Sequence, residues 1–176
     1  MNARYQAIDG NLRTLSLELT EISYRPDDRS YSTYMGVGRS WANVTLDLAT
    51  ADYAKSLALG SAAKYFSVNA TSTPTEVFTS AVSWPSLTGA AGDPAPWGGP
   101  GGKLTFPFTA PWKKPASADL LLDYTFSGGK LSNGVVSNRS YYLDSHVPGS
   151  YASASVTYHG LYSSTGGCVD SGSTYT

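Results

Sequence analysis

Lys103-Leu-Thr-Phe-Pro-Phe-Thr-Ala-Pro-Trp-Lys-Lys-Pro-Ala-Ser-Ala-Asp-Leu-Leu-Leu-Asp-Tyr-Thr-Phe126 reads as two strands flanking a proline-closed connection. Leu104, Phe106 and Phe108 alternate with Thr105, Pro107 and Thr109, the period-2 pattern of a strand with one buried face. Pro111 and Pro115 are expected to interrupt the ladder, because proline has no backbone N–H and a fixed φ. Leu120-Leu121-Leu122 is a short continuous apolar run, which suits a strand covered on both faces.

Outward from this stretch the pattern stays β. Leu15, Leu17 and Leu19 alternate with Ser16 and Glu18, and the apolar phase slips by one before Ile22 and Tyr24. A strand keeps one face buried across such a slip only through a bulge or tight turn, expected near Thr20-Glu21. Residues 1–11 read as irregular and end in the turn signal Asp9-Gly10-Asn11. Residues 28–41 read as a long polar loop carrying Tyr31, Tyr34 and Trp41. Val44, Leu46 and Leu48 then share one face of the cleanest half-buried strand. From Asp52 to Asn69 good helix formers predominate, with Asp52 as a candidate N-cap. Leu57, Ala58, Ala62, Tyr65 and Phe66 can share a helical face.

Val77 to Trp84 returns to strand, and Gly89–Gly102 is too rich in Gly and Pro for a ladder, so it reads as a surface excursion. Gly128-Gly129 closes the Leu-Leu-Leu strand. Further strands are expected from Val135-Val136 to Tyr141-Tyr142-Leu143 and from Tyr151 to Tyr162, with a turn at Pro148-Gly149 and a frayed tail over 163–176. About nine short strands with one short helical insert predict an all-β fold: an antiparallel, jelly-roll-like β-sandwich forming one domain over 1–176.

Composition narrows the function classes. Charged residues are 14% of the chain against 41% hydrophobic, so hydroxyls and amides rather than charges hold the surface in water. A formal net charge of −1 lacks the basic footprint that nucleic acid requires. No apolar run is long enough to span a bilayer. No apolar h-region follows Met1-Asn2-Ala3-Arg4, so a secreted protein would be met here in mature or trimmed form. The single cysteine, Cys168, has no internal partner for a disulfide.

The order of segments resembles a family of secreted bacterial proteins, many from environmental and planctomycete-like lineages, that often end in a PEP-type C-terminal sorting tail. The matching residues are Ala3-Arg4-Tyr5-Gln6, Ile22-Ser-Tyr-Arg25-Pro26-Asp27, and Val44-Thr-Leu-Asp-Leu48-Ala-Thr50. The insert ending near Phe66, Val77-Phe78, Phe106-Pro-Phe-Thr-Ala-Pro111-Trp112, Pro115 and Asp119-Leu-Leu-Leu-Asp123-Tyr124 complete the match. The resemblance implies a secreted or cell-surface β-sandwich with no established enzymatic activity and no catalytic residues to carry over. Neither a signal peptide nor a sorting tail is read in this chain.

Chemistry-bearing patterns are sparse. His146 and His159 have no partner at a ligand or triad interval. Gly98-Gly99-Pro100-Gly101-Gly102 lacks the Lys-Ser/Thr of a phosphate loop. The carboxylates a glycosidase would need (Asp47, Asp119, Asp123, Asp144) are scattered in sequence. No enzymatic activity and no cofactor are expected, a structural calcium apart, for which Asp27, Asp28 and Asp119 are the candidate ligands. Tyr31, Tyr34, Trp41, Trp97 and Trp112 lie in or beside expected loops as candidate ligand-binding rings, since an exposed ring offers a flat apolar face to a sugar or a protein.

Asn43, Asn69 and Asn138 each begin an Asn-x-Ser/Thr site. The expectation is a non-catalytic extracellular or cell-surface domain with an attachment or matrix role, recognising polysaccharide or other surface proteins. The alternative is a structural subunit that self-associates into a filament or sheath, and after it a secreted hydrolase.

Overall fold

The computed structural model describes residues 3–24, 38–58, 66–84, 104–131, 158–163 and 173–175. Among them are β1 (Ala3–Asp9), β2 (Leu17–Tyr24), β3 (Arg39–Ala51), β4 (Thr75–Trp84) and β5 (Leu104–Lys114). β6 (Asp119–Ser127), β7 (Lys130–Leu131), β8 (Tyr158–Ser163) and β9 (Ser173–Tyr175) follow. The insert after β3 contains α1 (Tyr53–Ala58) and a 3-10 turn (Phe66–Val68). The strands form a main antiparallel sheet in the order β4-β3-β6-β1-β8-β9, with β7 on the start of β3, and a two-stranded ribbon β2-β5. This is the mostly antiparallel, sandwich-like all-β fold with one short helical segment that the strand pattern predicts.

Two apolar clusters lie on opposite faces of the main sheet. On one face Val44, Leu46, Leu48, Val77, Val82, Leu120 and Tyr124 pack with Phe106 of the ribbon, and Ile22, Tyr24 and Trp112 close against them. On the other, Ile8, Ala49, Ala51 and Leu121 pack with Tyr53 and Ala70 of the insert. Leu120 and Leu121 therefore point into different clusters, which is why the Leu-Leu-Leu run is apolar without alternation. The phase slip near Thr20-Glu21 is a register shift between Leu19 and Glu21. Asp52 caps α1: its Oδ1 accepts from the Lys55 N–H at 3.0 Å.

Three expectations need correction. Residues 3–9, read as irregular, form the strand β1, paired to both β6 and β8. Arg4 and Gln6 obscure that strand because their partners lie more than a hundred residues away. Pro111 and Pro115 interrupt the ladder as expected, but the connection before Pro115 is part of the strand β5. The ladder to β2 lapses between Pro107 (opposite Glu21) and Trp112 (opposite Leu19), yet the strand resumes and runs to Lys114, and Pro115 ends it. The expected frayed tail contributes β9, paired with β8. The strand proposed over Val135–Leu143, the turn at Pro148 and the excursion 89–102 lie outside the described residues.

The β5–β6 turn is held from within. Lys114 is fully buried, and its Nζ donates to the carbonyls of Pro115 at 2.8 Å and Ala118 at 2.6 Å. Ser117 takes a positive φ of 71°, and its N–H donates to Arg13 O at 2.8 Å. At the other end of β6, Gly128 has a φ of 64°. A Cβ there would sit 2.6 Å from the Ala42 Cβ, so no larger residue fits without displacing β3.

Candidate functional site

Antiparallel register assembles the polar site from strands distant in sequence. On the insert-covered face of the main sheet, Glu76 of β4 stands opposite Asp47 of β3, Asp47 opposite Asp123 of β6, and Asp123 opposite Gln6 of β1. One step along the strands, Thr79, Thr45, Thr125 and Arg4 form a parallel row. Thr45 and Thr79 share a hydroxyl hydrogen bond of 3.3 Å, and Asn43 Nδ2 donates to Thr45 Oγ1 at 3.2 Å. Ala49, Leu121 and Ile8 lie deeper, beneath the insert.

Arg4 grips Asp123 with both arms: Nε donates to Oδ1 at 2.9 Å and Nη2 to Oδ2 at 2.7 Å. Its guanidinium also lies over the Phe66 ring, 4.4 Å from the centroid. Gln6 Nε2 donates to Asp123 Oδ2 at 2.8 Å and to Phe66 O at 3.2 Å. Asn69 Nδ2 donates to Gln6 Oε1 at 2.9 Å, and Ser56 Oγ donates to Asn69 Oδ1 at 2.7 Å. The chain Arg4–Asp123–Gln6–Asn69–Ser56 thus ties β1 and β6 to α1 and the 3-10 turn. Charge-assisted bidentate contacts of this kind are the strong ones.

Asp47 is the odd member. It is half-buried, and its carboxyl is raised above the ordinary 3.8 by burial, then by Asp123 and Glu76, with Arg4 opposing. A second cluster lies near the start of β6. Asp119 Oδ2 accepts from Arg13 Nη1 at 2.8 Å and from the Tyr53 N–H at 2.6 Å. Burial lowers the Lys114 ammonium nearby, with Asp119 pulling the other way. In the apolar core Tyr24 and Tyr124 share a 2.7 Å hydroxyl bond. Burial pushes Tyr24 up to about 12 and Tyr124 well above its usual range.

The sequence-derived candidates fare unevenly. Trp41 belongs to β3, not to a loop, and lies 5.5 Å from the Phe126 ring. Trp112 belongs to β5 opposite Leu19 and packs on the core. Both are partly buried against the larger cluster. Tyr31, Tyr34, Trp97, Asp27 and Asp28 lie outside the described residues, as do His146, Asp144, Asn138 and Cys168. Asp119, proposed for calcium, pairs with Arg13 through Oδ2, while its buried Oδ1 has no hydrogen-bond partner. No group of three or more His, Cys, Asp or Glu side chains converges as metal ligands among the described residues. Within the same residues no helix is long and apolar enough to cross a membrane.

The Arg4–Gln6–Asp123 network joins residues distant in sequence, and its one local signal is a carboxylate directly after an apolar triplet, which points to a buried, paired charge. No protein-family model, curated protein or solved structure matches the chain.

The structure separates two of the Asn-x-Thr sites. Asn43 sits on the open polar half of the face, whereas Asn69 is 3% exposed and bonded to Gln6 and Ser56. In a secretory host that glycosylates such sites, a glycan on Asn43 is expected to be compatible with folding. Occupancy of Asn69 is expected only on misfolded, retained chain. Glycopeptide mapping of secreted and retained fractions checks this; folded, secreted protein carrying a glycan on Asn69 would contradict the placement.

Proposed function

We propose that the chain is a non-catalytic extracellular or cell-surface binding module with an attachment or matrix role, and that carbohydrate is its ligand class. The observation that carries the proposal is the way the buried ionisable groups are spent inside the fold. Asp123 is held by Arg4 and Gln6, Asp119 by Arg13 and the Tyr53 N–H, and Lys114 by two carbonyls. A catalytic acid or base must be able to exchange its proton with a reacting group, and these groups serve as struts. Asp47 is the exception that favours a hydrolase. Of the two carboxylates opposite it, Asp123 has both oxygens committed to Arg4 and does not stand free as nucleophile or base, so a hydrolase would have to use Glu76.

The hydroxyl- and amide-rich surface and the resemblance at Ile22–Asp27 and Phe106–Trp112 support a secreted setting. With Trp41 and Trp112 partly buried against the larger cluster, ligand rings are sought at Tyr31, Tyr34 and Trp97. A glycan array tests the proposal, with release of reducing ends measured on every glycan that binds. The expected result is binding that Trp97→Ala weakens, without product release. A blank array, binding unchanged in that variant, or release of reducing ends abolished by Asp47→Asn would each overturn it. Growth into polymers under light scattering would favour the filament alternative.

A further inference from the structure

Row and bulge coincide in the main sheet. The register between β3 and β4 shifts between Leu46 and Asp47, which leaves Val77 as the extra residue on β4 just beside Glu76. Val77 is buried in the core shared with the ribbon, and its carbonyl accepts from Thr109 Oγ1 of β5 at 3.3 Å. The bulge is thus the point where β4 couples the main sheet to the ribbon. Bulges commonly mark functional positions because the ladder is already interrupted there.

Across that point run three carboxylates on three neighbouring strands. Like charges directly opposite one another destabilise a strand pair. Among the described residues the cation that serves the row is Arg4, which binds both oxygens of Asp123 and rests on Phe66. Among the described residues Asp47 and Glu76 make no ion pair. The charged groups acting on Asp47 are Asp123 from β6, Glu76 from β4 and Arg4 from β1.

We propose that the Glu76–Asp47–Asp123 row, seated on the β3–β4 bulge, is a proton-operated clamp. It holds β4 against β3 in acidic surroundings and slackens as the pH rises. With a proton on Asp47, the row gains a donor between two acceptors and loses one of three repelling charges. Without it, the repulsion acts where the ladder is interrupted.

The direction of the pH dependence follows from Asp47 itself. In the unfolded chain it ionises near 3.8, and burial and its neighbours keep the proton on it to higher pH in the sheet. Its contribution to stability is complete below 3.8 and is lost as pH rises through the elevated folded value, beyond which the penalty is constant.

The test is thermal unfolding of wild type, Asp47→Asn and Glu76→Gln from about pH 4 to about pH 8, paired with amide exchange. Relative to Asp47→Asn, the wild-type midpoint is expected to fall as pH rises, with Glu76→Gln between them. Protection of the β4 amides relative to β6 is expected to drop as pH rises in wild type and to hold in Asp47→Asn. Glu76 is exposed, so its variant does not fail merely by unfolding. A wild-type-minus-Asp47→Asn difference that stays constant across the range overturns the clamp. So does a Glu76→Gln profile superimposed on wild type.

Discussion

Replacing Phe106 with alanine is expected to cost about 3–5 kcal/mol, the range for emptying an aromatic site in a packed core. Phe106 is 2% exposed and is the ribbon's fully buried contribution to the larger cluster. Its ring meets Phe78 edge-on at 5.2 Å, Tyr124 at 5.4 Å and Tyr24 edge-on at 6.1 Å. Three ring contacts converge on one side chain, two from the main sheet and one from β2, so nothing nearby can collapse into the space it leaves. A loss of this size is a large part of the roughly 5–15 kcal/mol that holds a typical domain folded. Urea titration should show the midpoint falling with the slope preserved. A loss under about 1 kcal/mol would mean that the ribbon does not depend on this ring.

Arg4→Met is expected to cost about 3–5 kcal/mol, for the opposite chemical reason. Methionine covers the Phe66 ring but donates nothing, so the Asp123 carboxylate keeps only Gln6 Nε2 as a side-chain donor. The Asp123 side chain is 4% exposed, so water does not replace the lost partner. Removing both charges is expected to hurt less than removing one, because an uncompensated buried charge costs more than a missing ion pair. The double variant Arg4→Met/Asp123→Leu should therefore recover much of the loss, as read by chemical denaturation in a double-mutant cycle. A double variant as damaged as the sum of the two single ones would show that the pair does not act as a unit.

These two sites differ in how far the sequence discloses them. Phe106 is visible from alternation alone, because one face of β5 is apolar and periodicity reports one-sided burial directly. The Leu19-to-Ile22 phase slip and the Asp52 cap are visible for the same reason: each is a local pattern with a local cause. Arg4 is hidden. A strand whose second face is covered by a helical insert carries polar residues only where they find partners, and the partners of Arg4 and Gln6 are supplied by β6 at the far end of the order of segments. Asp47, Glu76 and Asp123 are likewise ordinary acids until antiparallel register sets them side by side. Trp41 and Trp112 mislead in the other direction: their polar and proline-rich flanks suggest loops, while bulged strands turn the rings inward. Composition shows which residues are available for chemistry, and pairing decides which of them meet.

Among the described residues the charged side chains taken fully inside are Arg39, Lys114, Asp119 and Asp123, two cations and two anions. Their formal charges cancel, so the remaining residues carry the same net charge of −1 as the whole chain. A net charge this small favours ordinary rather than steered encounter rates with any partner.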